Sequence, residues 1–297
     1  MERVSASRSS SSRPVWRSRT ARAALFCISL LAFSSAATAL PQGGDSDPDP
    51  LLRAHAHNDY LHARPLHDAL EHGFNSVEVD VHLVGDELLV AHDREEVDPT
   101  RTLESLYLAP LRARVAGRDG AVYPGAPPLL LLIDIKSGAE DTYARLHPLL
   151  RSYADILTFT VGDIVVEGPV QAVISGNRPK TALLAAPVRF AAYDGRLSDL
   201  EENASLPPSF MPLISDSWDQ VTDWNGEGPP PSELRARLEE LAALAHSQGR
   251  RIRFWGAPDR PEVWELLHET GVDLINSDDL EGLSQFLSER EDREDEG

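Results

Sequence analysis

Glu78 and Asp80 lie in the segment Ser76-Val-Glu-Val-Asp-Val-His82. In a strand this spacing puts both carboxylates on one face and Val77, Val79 and Val81 on the other. The flanking valines indicate burial on both faces, and an unpaired buried carboxylate costs several kcal/mol against a total stability of roughly 5–15 kcal/mol. Two other segments end in the same way. "RAHAH" carries His55 and His57 on one face, and "LLLLIDIK" ends in Asp134 and Lys136. Imidazoles transfer protons near neutral pH, and the acids require a lysine, an arginine or a bound cation to face. Lys136 and Lys180 are the only two lysines among 28 basic residues, so a compact ammonium here reads as a chosen point charge.

These pairs need a scaffold that brings three strand ends together. Strand-like segments fall at 52–57, 76–82, 129–136, 155–161, 170–175, 181–186, 211–215, 251–255 and 272–276. Helix-like stretches lie between most of them, at 65–73, 102–115, 139–151, 232–248 and 260–270, the alternation of βαβ units around a parallel sheet. "ILTFTVGDIVV" reads as a hairpin excursion turning at Gly162-Asp163, and "ELLVAHD" as an arm of the second strand's loop. No glycine-rich phosphate loop follows the first strand. The expected fold is therefore a single-domain α/β protein, a (β/α)8 TIM barrel over residues 51–288, whose active site sits at the carboxyl ends of its strands.

The order His57, Ala69-Leu70-x-x-Gly73, Glu78-x-Asp80, Val90-Ala-His-Asp93 and Asp134-x-Lys136 resembles the glycerophosphodiester phosphodiesterases and their barrel relatives, including phosphatidylinositol-specific phospholipase C and sphingomyelinase D. The likeness covers 52–136 well. "RFWGAPDRPEVWELLHETGVDLINSD" is similar to the family's closing strand and helix, whereas 155–250 matches loosely. The "HNDY" at the first strand is similar to a branch named for a yeast protein of mitochondrial inheritance. Where the family has His-Arg-Gly, this chain has His57-Asn58-Asp59, and the helix start that usually follows is missing.

The resemblance implies a metal-dependent phosphodiesterase acting on a glycerophosphodiester or phospholipid-type headgroup. His57 and His92 would be the acid and base. Glu78, Asp80 and Asp134 would hold one divalent cation, Mg2+ or Ca2+, as hard oxygen ligands suit. Lys136, Asn58 and Arg178 would contact the phosphate, with Trp255 as an apolar wall. His55, two residues before His57, is expected to point deeper into the barrel as a core histidine. A rival reading takes the His-x-His of the first strand as the start of an amidohydrolase-like metal site, although no histidine lies between His147 and His246 to complete it. A third reading is a decayed barrel that only binds, yet none of the five central acid, base and ligand positions is missing.

Residues 1–39 read as a secretory signal: six arginines over residues 3–22, an apolar run, then Ala37-Thr38-Ala39 before the cut. Cleavage after Ala39 would leave a secreted or periplasmic chain without its single cysteine, Cys27, and without a membrane span. It would also remove six arginines and one acid, taking the formal charge from −20 to −25. Such a surface repels nucleic acid and anionic lipid, and the expected state is a monomer acting on a small molecule or lipid headgroup. Residues 40–50 read as a flexible lead-in and 289–297 as an acidic tail.

Overall fold

The computed structural model describes residues 48–295; the expected signal segment and most of the lead-in lie outside them. In chain order the elements are β1 (Ala54–Ala56), α1 (His67–Glu71), β2 (Ser76–Val84), β3 (Glu87–Val90), α2 (Ala109–Ala116), β4 (Leu129–Ile135), α3 (Ala139–Arg151), β5 (Phe159–Val161), β6 (Ile164–Val166), β7 (Val170–Gly176) and α4 (Lys180–Ala185). There follow β8 (Val188–Arg189), β9 (Ala192–Gly195), α5 (Asp199–Glu202), β10 (Leu213–Ser217), α6 (Leu234–Ser247), β11 (Arg251–Trp255), α7 (Pro261–Glu269), β12 (Ile275–Ser277) and α8 (Leu280–Asp295).

Eight parallel strands run in the order β11-β10-β9-β7-β4-β2-β1-β12, and a parallel bridge between Arg253 and Leu274 brings the two ends together. This is the expected single-domain barrel. Leu130, Leu132, Val173, Leu213 and Leu274 fill its middle. Residues one step out of phase, such as Val77, Val79, Leu131 and Ile133, pack outward against the helices. The helices meet them with amphipathic faces; α3, for example, buries Thr142, Tyr143, Leu146 and Leu150 at turn spacing. Both faces of each strand are thus covered, which is why β4 reads as an unbroken leucine run.

The β5–β6 hairpin turns at Gly162, and β3 folds back antiparallel on β2, both as the sequence suggests. One strand differs from expectation. Residues 181–186 lie largely in α4, because "TALLA" is made of good helix formers and short apolar runs carry no period of their own. The barrel takes β9 instead, a four-residue strand containing Asp194. The expected acidic tail continues α8 as far as Asp295, the last described residue. Among the described residues, no helix is long and apolar enough to cross a membrane.

Candidate active site

The inward face of β2 carries Ser76, Glu78 and Asp80 in step, and register does the rest. Asp80 lies across from Asp134 on β4, and Asp134 across from Ser175 on β7. At the carboxyl end of the barrel they open into a cavity of about 400 Å³. His57, Asn58, Glu78, His92, Asp134, Lys136 and Trp255 line it, as expected, while Asp80 lies fully buried beneath.

Oxygens of Glu78, Asp80 and Asp134 lie within 4.8 Å of one another. Glu78 Oε2 accepts from Arg253 Nη1 at 2.7 Å; burial raises its pKa most, but the Arg253 charge, the His55 hydrogen bond and the neighbouring imidazoles together hold the carboxyl well below its usual range. Asp80 Oδ2 accepts from Tyr60 Oη at 2.7 Å and His92 Nδ1 at 3.0 Å and lies 3.2 Å from Lys136 Nζ. Lys136 Nζ is also 3.3 Å from Asp134 Oδ2. Asp80 Oδ1 and Asp134 Oδ1 are buried without a hydrogen-bond partner. Burial and the neighbouring charges of Glu78 and Asp80 push Asp134 up to about 6 in spite of Lys136. A Cβ on Gly176 would fall 1.9 Å from Asp134 Oδ1, so only glycine leaves that oxygen its place. Three close hard-oxygen donors, two of them with an unmatched buried oxygen, fit a divalent cation.

The two expected catalytic histidines are each held at Nδ1 by a carboxylate. His57 Nδ1 lies 2.8 Å from Asp278 Oδ1, just past β12, and His92 Nδ1 is held by Asp80. Burial lowers the His57 pKa, but the Asp278 hydrogen bond and the charges of Glu78 and Asp278 more than reverse this, so it is raised. With Nδ1–H committed, each ring keeps Nε2 for other chemistry.

His55 is a core residue, as expected. Its Nδ1 lies 2.7 Å from Ser76 Oγ, and its Nε2 contacts Arg253 and Glu78. Burial and the Arg253 charge lower its pKa to about 3, so it stays neutral and neither nitrogen is free for an ion. This removes the His-x-His pair on which the amidohydrolase reading rested.

Arg178 is a correction. It does not line the cavity; it donates to the Asp194 backbone oxygen at 2.5 Å and sits over the Tyr193 ring, facing a shallower depression beside Asn177. Arg196, just after β9, lines the cavity instead, with Nη1 2.9 Å from Asp194 Oδ2. Arg196 and Arg253 escape the sequence reading, the first because β9 is so short. Arg253 had a signal: an arginine between Ile252 and Phe254 in a strand points inward with Trp255 toward acids. Asp278 was likewise visible as an acid two residues past a strand end.

The AIM6-like phosphodiesterase domain family matches residues 49–194. A protein of Eremothecium gossypii called altered inheritance of mitochondria protein 6 is 32% identical over 275 residues, covering 81% of this chain and 70% of that one. Its homolog in Arthroderma benhamiae is 31% identical over 267 residues, covering 80% and 84%. A crystal structure of a glycerophosphodiester phosphodiesterase from Agrobacterium tumefaciens overlays with a TM-score of 0.49 at 17% identity, covering 80% of this chain and 99% of that one.

Proposed function

We infer that this chain, which belongs to the AIM6-like phosphodiesterase family and is therefore a phosphoric diester hydrolase, cleaves a glycerophosphodiester or phospholipid-headgroup diester by paired imidazole acid–base catalysis. The observation that carries this reading is the placement of His57 and His92 on one cavity, each with Nδ1 fixed by its own carboxylate. Hydrolysis needs a proton removed from the attacking hydroxyl and one delivered to the leaving alkoxide. His57, with its raised pKa, suits the donor. His92, aligned by Asp80, suits the acceptor.

Glu78, Asp80 and Asp134 would hold one Mg2+ or Ca2+. When bound, the ion would neutralise a non-bridging phosphate oxygen and acidify the nucleophile. Lys136 and Arg196 would steady the remaining phosphate oxygens, with Arg196 taking the part expected of Arg178, and Trp255 would wall the alcohol. The chain is read as an exported monomer cut after Ala39, which amino-terminal sequencing of secreted material would check.

The deciding experiment is a screen of the purified protein against glycerophosphodiesters, lysophospholipids and phosphoinositides, with EDTA and with Ca2+ or Mg2+ restored. Turnover that EDTA abolishes and one ion restores supports the reading. No turnover of any diester, or turnover indifferent to EDTA, defeats it.

A further inference from the structure

The "HNDY" segment departs from the pattern the chain otherwise resembles, and the reading above uses only its histidine. Tyr60 is buried, and its Oη lies 2.7 Å from Asp80 Oδ2, 2.9 Å from the Asn58 side-chain amide and 3.3 Å from His92 Nδ1. The same amide lies 3.2 Å from His57 Nδ1. A phenol has one proton and a carboxylate only accepts, so that proton goes to Asp80 Oδ2. In the structure Asn58 Oδ1 faces Tyr60 Oη and Nδ2 faces His57 Nδ1; turning the amide over lets its NH2 donate to Tyr60 Oη and its carbonyl accept from His57 Nδ1–H, an orientation that the bonding network decides. His57 Nδ1–H is then shared between Asp278 Oδ1 and the Asn58 carbonyl, and His92 Nδ1–H between Asp80 Oδ2 and Tyr60 Oη.

The backbone around these groups is fixed. Asn58 takes a left-handed φ of 46°, a conformation asparagine tolerates. Buried Asp59 accepts from Leu66 N at 2.6 Å and Tyr107 Oη at 2.7 Å, while Arg101 donates to the Tyr60 backbone oxygen.

We propose that Asn58 and Tyr60 form a hydrogen-bonded bridge between the His57–Asp278 and His92–Asp80 pairs, holding the two imidazoles in register for one diester. This rests on the reading of the two histidines as the proton-transfer pair, and it makes Asn58 and Tyr60 positioning residues. Asn58 is thereby assigned to His57 and Tyr60, not to the phosphate. The bridge also divides the labour of Asp80: Tyr60 and His92 hold Oδ2, which leaves Oδ1 unmatched.

The test uses the full chain with Tyr60→Phe, Asn58→Gly and the double variant; glycine is chosen because alanine would be strained at that φ. At saturating cation and substrate, each single change should lower kcat about 10–100-fold with KM altered less than about threefold. The double variant should be no worse than the poorer single one, since either change breaks the same chain. Multiplying effects would overturn the bridge.

A second readout needs no turnover. Imidazole ¹⁵N spectra, assigned with His57→Gln and His92→Gln, should show Nδ1–H tautomers for both rings. Tyr60→Phe should then disturb His57 as well as His92, and Asn58→Gly should disturb His92 as well as His57. If each variant disturbs only its immediate neighbour, the bridge is wrong, even if the chain proves an active phosphodiesterase. If no diester is turned over, the functional reading fails while the spectra still decide the bridge.

Discussion

Two buried acid centres sit in this barrel, and they have opposite characters. Asp194 on β9 accepts from Ser175 Oγ at 2.7 Å and Arg196 Nη1 at 2.9 Å on Oδ2, and from Ser215 Oγ at 2.7 Å on Oδ1. Both of its oxygens are matched, and one guanidinium balances its charge. Asp80 and Asp134, across the same mouth, share one ammonium between them and keep one buried oxygen each without a partner. Burial alone therefore does not mark a functional carboxylate. What marks this centre is unmatched oxygen on two acids that converge with Glu78, whereas the buried Asp59 Oδ1 is also unmatched but belongs to no such cluster among the described residues.

The largest expected effect tests whether the unmatched centre serves chemistry at all. His57→Ala and His92→Ala should each lower kcat roughly 10²–10⁴-fold, and their combination should fall far short of the product. A verified phosphodiesterase activity surviving the double change within about tenfold of wild type would refute the pair.

Exchanging the carboxylates sharpens the comparison directly. Asp134→Asn should abolish the rise in Tm produced by Ca2+ or Mg2+, because binding to the native state is what stabilises it. Asp194→Asn should keep that rise but lose about 1–3 kcal/mol of stability, as Arg196 and two serines lose their acceptor. The distinction collapses if both variants respond to the ion alike.

The pH dependence follows from Asp134. With EDTA present its folded carboxyl titrates near 6, above the usual 3.8. Between those values the folded state holds a proton the unfolded chain has released. Its stabilising contribution is thus present below pH 4 and is lost as pH climbs through 6, on the order of 2–3 kcal/mol. A divalent ion bound by Asp134 would replace that proton, so the ion-induced rise in Tm should grow from pH 5 to pH 7. Equal rises at both would contradict the ligand role.

The smallest effect separates the two arginines. Arg196→Ala should raise KM about tenfold, whereas Arg178→Ala, outside the cavity, should change it less than about threefold. Equal KM changes would restore Arg178 to the phosphate.

Much of this site was legible in the chain. Strand period places Glu78 with Asp80 and His55 with His57, and the position of Asp134 and Lys136 at the end of a leucine run places them at the mouth. His92 follows from its short distance past β2. These are local facts, set by side-chain alternation over a few residues, and the barrel itself follows from alternating elements. Other parts were not local. Arg253 reaches Glu78 and His55 because β11 lies across the barrel interior from β1 and β2, and Asp278 reaches His57 because β12 pairs with β1. β9 was missed because four residues carry too little period, and with it went Arg196.

The sequence by itself thus determined which acids and imidazoles face inward at the strand ends, since that depends on the two-residue repeat of the pleat. Only the tertiary structure decided which of them are satisfied. The partners of Asp194, Glu78 and His57 come from strands and loops distant in the chain, and closure of the barrel alone sets whether a buried oxygen finds a donor or is left for a ligand.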